Sequence, residues 1–425
     1  MLLHEEISPP TGQRPGHRLT PGDRIRIARR ARHLSAAQLA RRVAISPSYV
    51  QKLESGKRKP SPTLLAALAK ALHLGPEALT GEPYYGEPEG EDGVRAVLPE
   101  LRRLLLCYDS PDALDVAPRP LPVLASEVDQ VAALRRDARY APMGPLLPPV
   151  LTELTHIALD ARGAEREEAF RQLVRAYRAV NSLAHKTGHP DLSHTALERV
   201  RWAADRSDDP LARITAGYLV AGAMLRQGAH APARRKLLAL REELKRLVSD
   251  VPAADAHAVD GALLLKLAVL EARENDPERA EARLRDAEEV ARAAGGRDLP
   301  AYELSFGPTN IRIHRLHTVI GTGDTERALA WLAEWAPVPG GEWAPPATTA
   351  GERSSHHYID VASAKLAAGD RTGAFSCLRQ ARRIAPNHTR FHPSVRETTA
   401  ALLRMDASPS NELVSFGSWA GLTAP

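Results

Sequence analysis

Apolar residues recur at intervals of three and four along most of this 425-residue chain, which is the spacing of one helical face. Alanine, leucine and arginine dominate and aromatic residues make up only 4%, a mixture that favours helix over strand. Because no run of 18 apolar residues occurs, we expect no membrane-spanning helix and no membrane partner. The pattern predicts an all-α fold, and the length predicts two or more domains.

The first 80 residues contain the start and stop signals of several short helices. A first helix is predicted over residues 23–32, a second after the cap Ser35, and a fourth after Ser61. The third is predicted between Ser46, as its N-cap, and Gly56, which suits a left-handed C-terminal residue. These helices are short and closely spaced, as in a small helical domain.

The third helix carries side chains suited to reading DNA bases. Val50 and Leu53 are predicted to face the core, which leaves four residues on the outward faces: Ser48, Tyr49, Gln51 and Lys52. Glutamine can bond adenine with two hydrogen bonds, lysine can reach guanine, and a tyrosine ring can touch a thymine methyl group. Three cations follow in a loop, where we expect phosphate contacts: Lys57, Arg58 and Lys59.

The run from GDRIRIAR to KRKPSPTLLAALAKAL, residues 22–72, resembles the helix-turn-helix domain of the XRE (phage-repressor-like) family of bacterial regulators. The resemblance implies that the third helix enters the major groove and the second crosses the DNA backbone. It also implies an ion pair between Arg29 and Glu54, which is chiefly structural because it locks two helices together, and which orients Arg29 toward phosphate. Relatives usually have glutamine after the second cap, where this chain has Ala36, so that phosphate contact is expected from Ser35 or backbone N–H groups. Ser46 is also among the residues expected to contact DNA.

Positive charge is concentrated in the first fifth of the chain. Residues 1–80 contain 14 Lys and Arg against 5 Asp and Glu, whereas the whole chain carries a net charge of +5. A basic head on a mildly acidic body is typical of a protein that binds a polyanion. The stretch GEPYYGEPEGED, with three glycines, two prolines and five acids, predicts a solvated linker. We therefore divide the chain into a flexible N-terminus (1–20), a helix-turn-helix domain (21–80), a linker (81–93) and a helical sensor and dimerisation domain (94–425).

A repeated pattern predicts the architecture of the body. A turn residue is followed, at intervals of five, four and three, by small or apolar residues, and the four clear turn residues are Gly228, Asn275, Gly323 and Gly369. Their separations of 47, 48 and 46 residues exceed the usual 34 of tetratricopeptide repeats, which the pattern otherwise resembles. We expect antiparallel helical hairpins stacked into a right-handed α-solenoid with a concave inner face.

Three polar clusters begin helices of this predicted solenoid: SFGPTNIRIHRLH, SSHHYID and NHTRFHP. If first helices line the concave face, the clusters converge there, with asparagine bonding a peptide backbone and arginine a carboxylate. The candidate ligand-binding residues are Asn310, Arg312, His314, His317, His356, His357, Arg390 and His392. The alternative is that these side chains cap helices and satisfy bonds between repeats. We expect no metal site, since no HExxH motif is present.

Several classes of function lack support in the sequence. Cys107 and Cys377 are the only cysteines, which excludes a disulfide framework and a four-cysteine zinc site and suits a reducing cytoplasm. Dinucleotide-binding GxGxxG and phosphate-binding GxxxxGK[ST] loops are absent, and so is a nucleophile elbow. We therefore expect neither an enzyme nor a cofactor.

A head of the XRE type on a tetratricopeptide-like body also resembles bacterial regulators in which the body binds a signalling peptide and changes the affinity of the head for DNA. The sequence thus predicts a cytoplasmic transcription regulator that binds double-stranded DNA at a pseudo-palindromic operator as a homodimer. Its body is expected to sense a peptide or small-molecule effector. The alternative is a protein-interaction scaffold whose repeats hold a protein partner, while the head only localises it on DNA.

Overall fold

The computed structural model describes residues 20–32, 34–72, 74, 79, 92–406 and 408–422. In these ranges the chain is helical, and its β-structure is limited to one isolated bridge between Leu299 and Phe306. The predicted all-α fold class is therefore confirmed. None of the described helices has the length and apolarity needed to cross a bilayer. The predicted N-terminal segment 1–20 and linker 81–93 fall outside the described residues, apart from their last residues.

Four helices form the head: α1 (Pro21–Ala31), α2 (Ala36–Arg42), α3 (Pro47–Glu54) and α4 (Pro62–Ala71). Each begins at a residue whose hydroxyl group accepts a hydrogen bond from the backbone N–H three positions on, and these caps are Thr20, Ser35, Ser46 and Ser61. Helix α1 begins two residues earlier than predicted because Thr20 and Asp23 form a reciprocal capping box.

The head is held together by a small apolar core. Ile25, Leu39, Val50 and Leu53 are completely buried, so the inward pair predicted for α3 is confirmed. Helix α1 approaches the end of α3 so closely that a Cβ on Gly22 would lie 2.3 Å from the carbonyl oxygen of Leu53. Burial of these side chains fixes α3 by its inner face and leaves its outer face to solvent.

The turn between α2 and α3 has an unusual backbone conformation. Ala44 adopts a left-handed φ of 52°, and Gly56 ends α3 with a φ of 73°. A side chain in this region is strained by contact of Cβ with the backbone, whereas glycine is not. The turn therefore holds an alanine in a conformation that suits glycine better.

The body begins with α5 (Asp92–Leu106), α6 (Leu121–Arg136), α7 (Tyr140–Met143) and α8 (Leu147–Asp160). Five antiparallel hairpins follow: α9 (Gly163–Lys186) with α10 (Pro190–Ala204), α11 (Pro210–Arg226) with α12 (His230–Leu247), α13 (Ala253–Arg273) with α14 (Pro277–Ala293), α15 (Pro308–Gly321) with α16 (Thr325–Glu334), and α17 (Gly351–Ala367) with α18 (Arg371–Ile384). The described chain closes with α19 (Pro386–Phe391), α20 (Pro393–Met405) and α21 (Asn411–Trp419).

The predicted repeats coincide with these hairpins. All four predicted turn residues have positive φ angles and lie between the two helices of a hairpin: Gly228, Asn275, Gly323 and Gly369. Gly188, with a φ of 82°, forms an equivalent turn between α9 and α10. Helices of 17 to 21 residues in the second and third hairpins account for the long period. From the second hairpin to the fifth, each first helix packs on the next, and the prediction of a tetratricopeptide-like array of helical hairpins is confirmed.

The two ends of the array meet. Lys186, at the end of α9, forms a 2.9 Å ion pair with Glu352, in the first turn of α17. The backbone N–H of Gly351 donates to a carboxylate oxygen of Asp137, at the end of α6, over 3.2 Å. The first contact joins the first hairpin to the fifth and the second joins α6 to the fifth, so the two ends of the array lie against each other.

The loop between the third and fourth hairpins packs against α9 and the start of α11. Arg178 of α9 donates to the carbonyl oxygen of Tyr302, and the Tyr302 hydroxyl donates to the carboxylate of Asp209 over 2.9 Å. The ring of Phe306 lies only 2.1 Å from the position of a Cβ on Gly261 of α13. The FGPTN segment therefore begins as an internal brace and continues into α15.

The head packs against the body through its first and fourth helices. The ammonium of Lys70 on α4 lies 3.4 Å from the carboxylate of Glu397 on α20, and the two helices are in extensive contact. A guanidinium nitrogen of Arg32 donates to the carbonyl oxygen of Gln227 over 3.0 Å. Helix α3 takes no part in these two contacts.

Candidate DNA interface and ligand site

The outward face of α3 presents polar side chains to solvent. Ser48, Gln51 and Lys52 are exposed, as predicted. Tyr49 differs, because its ring is half-buried against the apolar core of the head. Ser46 is engaged in capping, since its hydroxyl accepts from the Tyr49 N–H over 3.2 Å and lies 3.0 Å from the Ser48 hydroxyl. Gln51 and Lys52 are therefore the side chains with most freedom to reach base edges.

A cluster of cations lies just beyond the C-terminal end of α3. Lys57, Arg58 and Lys59 are exposed, and none of them forms an ion pair with a carboxylate in the described part of the chain. The loop is held to the helix by a 3.1 Å hydrogen bond from the Arg58 backbone N–H to the Lys52 carbonyl oxygen. Fixed next to the reading face, these cations are available to a polyanion.

The predicted ion pair between Arg29 and Glu54 is present. The guanidinium donates to both carboxylate oxygens, over 2.5 and 2.8 Å, and to the Leu34 carbonyl oxygen over 2.7 Å. The Glu54 hydrogen bond raises the pKa of Arg29. All three nitrogens already donate and the side chain is only 13% exposed, which suits the chiefly structural role expected of the pair, and the phosphate contact of Arg29 stays a prediction.

The start of α2 is held by Ser35, the predicted cap, and by Gln38, whose part in the cap was not predicted. The Ser35 hydroxyl accepts from the Gln38 N–H over 3.1 Å, and the Gln38 side chain accepts from the Ser35 N–H over 2.7 Å. The spacing S-x-x-Q is the sequence signal of such a capping box. Ser35 keeps a hydroxyl proton for phosphate, whereas the Gln38 side chain is committed to the cap.

The three polar clusters of the body do approach one another. His317 lies 3.0 Å from the carboxylate of Asp360, which joins the first cluster to the second. The ring of His356 lies 4.3 Å from that of His388 and 5.2 Å from that of His392, measured between centroids. The predicted convergence of the clusters is therefore seen for these side chains, with His388 as a member that the candidate list omitted.

Two candidate residues point elsewhere. Arg312 is exposed and its guanidinium lies 5.4 Å from the centroid of the Trp335 ring, while His357 is buried with its ring edge against Trp343. Helical geometry is the reason, because residues two apart on α15, or adjacent on α17, project to different sides of the helix. Arg312 and His357 are therefore corrected from ligand-site residues to packing residues.

The remaining candidates lie in buried surroundings. Asn310 is 5% exposed, and its side-chain oxygen accepts no hydrogen bond from the described residues. Arg390 is buried on α19. Burial lowers the pKa of His314 and His356 well below the usual range, and cations near them add to the effect. At neutral pH these imidazoles are uncharged and can donate or accept hydrogen bonds.

His392 links this region to the head. It is the N-cap residue of α20, the helix on which α4 packs. Burial is the main cause that lowers the pKa of His392 to about 4; Lys186 and Lys70 contribute to this lowering, and Asp360 opposes it. Since Lys70 belongs to α4, the histidine cluster lies within electrostatic range of the head.

The ring nitrogens of His356, His388 and His392 lie within 4.8 Å of one another, and the last two have the H-x-x-x-H spacing of many metal ligands. The ammonium of Lys186, however, lies 3.3 Å from Nδ1 of His388 and can only donate there. The His388 proton then resides on Nε2, and neither ring nitrogen offers a free lone pair. The charge and the tautomer both disfavour a metal cation in this cluster.

Comparison with known proteins supports the assignment of the head. Residues 25–79 match the Helix-turn-helix family model HTH_3. The uncharacterized HTH-type transcriptional regulators MT0491 and Rv0474, from two strains of Mycobacterium tuberculosis, are each 39% identical to this chain over 74 residues. That match covers 17% of this chain and 53% of each relative, so the chain spans about half the length of these curated relatives.

Two solved structures align with much of the chain at low sequence identity. BtubC (BKLC) from P. vanneervenii aligns with a TM-score of 0.33 at 16% identity, over 69% of this chain and 96% of its own. The TPR domain of P58(IPK) aligns with a TM-score of 0.19 at 14% identity, over 92% of this chain and 99% of its own. We assign the body from its own helical hairpins. The chain therefore carries an XRE-type helix-turn-helix domain at residues 25–79, followed by an array of tetratricopeptide-like helical hairpins.

Proposed function

We propose that the protein is a cytoplasmic, sequence-specific DNA-binding transcription regulator. The observation that carries this proposal is the state of α3: its outer face is solvent-exposed while the head is docked on the body. Three cations without a described carboxylate partner flank that face. A short helix with polar outer side chains and adjacent cations suits insertion into the major groove of a duplex.

The side chains of α3 are expected to contact DNA bases, and those of its flanking loop are expected to contact phosphates. Gln51, with an adenine, would supply about 1–3 kcal/mol of discrimination between bases. Lys57 and its neighbours would contribute affinity without sequence preference, so that binding weakens with salt by a slope of about −0.9 per phosphate neutralised. We expect a homodimer on a pseudo-palindrome, with half-sites about 34 Å apart or a multiple of it.

The body is proposed to couple a ligand to the head. Helix α20 contacts α4 of the head. Its N-cap residue is His392, which belongs to the histidine cluster. A peptide or small molecule that displaced His392 would move the helix on which the head rests. Sensing and dimerisation are thus assigned to the hairpin array, and no catalytic reaction is proposed.

Gel-shift and footprinting experiments with the full chain test this proposal against the scaffold alternative. We expect selection from a random duplex library to enrich one half-site sequence, and the enriched DNA to compete better than an unrelated duplex of equal length. A scaffold that the head only localises would give equal competition by both duplexes, which would refute sequence-specific regulation.

A further inference from the structure

The guanidinium of Arg32, the C-cap residue of α1, connects the head to the second hairpin of the body. Its Nη2 donates to the carbonyl oxygen of Gln227 over 3.0 Å, and its Nη1 donates to the carbonyl oxygen of Ala28, in its own helix, over 3.1 Å. The side chain is half-buried. One guanidinium thus bridges the end of α1 and the end of α11.

The end of α11 suits a cation. Gln227 is the C-cap residue of this helix, where carbonyl oxygens have no partners within the helix and the helix dipole is negative. Arg273 of α13 donates to another carbonyl oxygen of the same end, that of Leu225, over 3.3 Å. Arg32 therefore caps a helix of the body through a charge-assisted hydrogen bond.

The turn after α11 has room for Arg32 because it contains a glycine. Gly228 has a φ of 73°, and a Cβ there would lie 3.1 Å from Nη2 and 3.2 Å from Nε of Arg32. At the equivalent turns of the fourth and fifth hairpins, a Cβ on Gly323 or Gly369 would meet nothing within 4 Å. Of these three glycine turns, the one in the second hairpin is therefore the one that the head contacts.

A second contact holds the head at a different part of the body. The Lys70 ammonium lies 3.4 Å from the Glu397 carboxylate, and α4 packs on α20, which follows the fifth hairpin. A domain held at one point can rotate about it, whereas a domain held at two separate points has one orientation. The orientation of the head therefore depends on Arg32 as well as on the packing of α4.

The two contacts leave the outer face of α3 uncovered. Gln51, Lys52 and Lys57 are exposed while Arg32 and Lys70 contact the body. A contact that covered α3 would inhibit DNA binding. The contact of Arg32 instead determines the direction in which an exposed α3 points.

We propose that Arg32 is a positioning residue, which fixes the orientation of α3 relative to the hairpin array by its contact with the Gly228 turn. The consequence for DNA rests on the proposed function. In a homodimer whose subunits meet through the array, fixed heads would hold the two α3 helices at one separation and so accept one spacing of half-sites. Loss of Arg32 would relax this spacing without weakening the contacts of either head with its half-site.

The first measurement uses the DNA-free full chain and pulsed electron paramagnetic resonance between two spin labels. The labels are attached at Arg41→Cys on α2 and Lys245→Cys on α12, two exposed positions, in a Cys107→Ser background. Labelled protein is diluted with unlabelled protein, so that distances within one chain dominate. We expect one narrow distance distribution, which Arg32→Met should broaden at least twofold.

A control variant and a folding check accompany this measurement. Arg30→Met removes an exposed arginine of the same helix and should leave the width of the distribution unchanged. Amide hydrogen exchange of residues 36–54 should be the same in Arg32→Met as in wild type. A general loss of protection in these residues would show that Arg32 stabilises the head itself, and would overturn the positioning role.

The second measurement uses duplexes that carry one selected half-site, or two half-sites separated by each spacer length up to one helical turn. Wild type should prefer one spacer at least tenfold. Arg32→Met should reduce this preference to less than threefold, and should bind the single half-site within twofold of the wild-type affinity. A residue that only stabilised the head would instead weaken binding to the single half-site.

The proposal is overturned if Arg32→Met leaves the distance distribution unchanged, or if the distribution of the wild type is already broad. It is also overturned if the distribution broadens but the spacer preference stays as sharp as in wild type. A protein that bound no DNA would refute the proposed function, whereas the distance measurement would still decide whether Arg32 fixes the head on the body.

Discussion

The guanidinium of Arg29 and the carboxylate of Glu54 form a two-pronged ion pair that joins α1 to the end of α3, with N–O distances of 2.5 and 2.8 Å. Both side chains are largely buried, at 13% and 9% exposure. The pair therefore sets the position of α3 in the head, and with it the direction in which Gln51 and Lys52 project. We therefore expect Arg29 to influence DNA binding through the position of α3.

Arg29→Ala should destabilise the head by about 3 kcal/mol, because it leaves the Glu54 carboxylate buried without its partner. Hydrogen–deuterium exchange of peptides from residues 21–72 measures this change within the full chain. Arg58→Ala, at an exposed position, is the matched control and should alter protection by less than about 0.5 kcal/mol. Equal effects of the two substitutions would contradict the structural role of Arg29.

Ala44→Gly should stabilise the head by about 1 kcal/mol, because the left-handed φ of 52° strains an alanine but suits a glycine. Gly56→Ala is the converse substitution, at a φ of 73°, and should destabilise by a similar amount. The same exchange experiment reports both changes. If Ala44→Gly loosened the head, the turn would not have the conformation described above.

Gly261→Ala should destabilise the body by about 2 kcal/mol or more, since the added methyl group would lie 2.1 Å from the Phe306 ring. Gly321→Ala is a suitable control, because a Cβ on this helical glycine meets nothing within 4 Å and should stabilise α15 slightly. Urea denaturation followed by tryptophan fluorescence distinguishes the two. Equal tolerance of both alanines would argue against the internal brace.

Glu303 should make the stability of the body depend on pH in the acid range. The carboxylate is 11% exposed, and although burial opposes it, Arg135, Arg178 and Arg175 lower its pKa from 4.5 to about 2. A lowered folded-state pKa stabilises the protein above pH 4.5, and this contribution is lost as the pH falls toward 2. Glu303→Gln should therefore cost about 3 kcal/mol at pH 6.

The difference between wild type and Glu303→Gln, measured by urea denaturation, should shrink progressively below about pH 4.5. Glu198→Gln, a control at a 59% exposed position on α10, should show no such convergence. A constant difference between wild type and Glu303→Gln from pH 6 to pH 3 would contradict the charge interaction.

The head could be predicted from the sequence almost residue by residue, because its signals are local. Ser35, Ser46 and Ser61 cap helices within three residues of themselves, and Val50 and Leu53 share a face by spacing alone. The burial of Arg29 was not predictable in the same way. It depends on how completely two helices enclose one guanidinium, which spacing does not specify.

The helical hairpins of the body could be predicted from the sequence, but the contacts between its distant parts could not. The turn residues and their period indicate hairpins, since each hairpin is a local unit. Lys186 and Glu352, by contrast, are far apart in sequence and meet only because the two ends of the array lie against each other. Helix α21 was likewise not predicted.

The most direct measurement of the central claim is the affinity of two single-residue variants for the selected operator, by fluorescence anisotropy across a salt series. Gln51→Ala should relax preference at one base position and leave the salt slope unchanged. Lys57→Ala should weaken binding to every sequence alike and reduce the slope by about 0.9. If both variants bind operator and unrelated duplex as wild type does, α3 and its cations are not the DNA-reading surface.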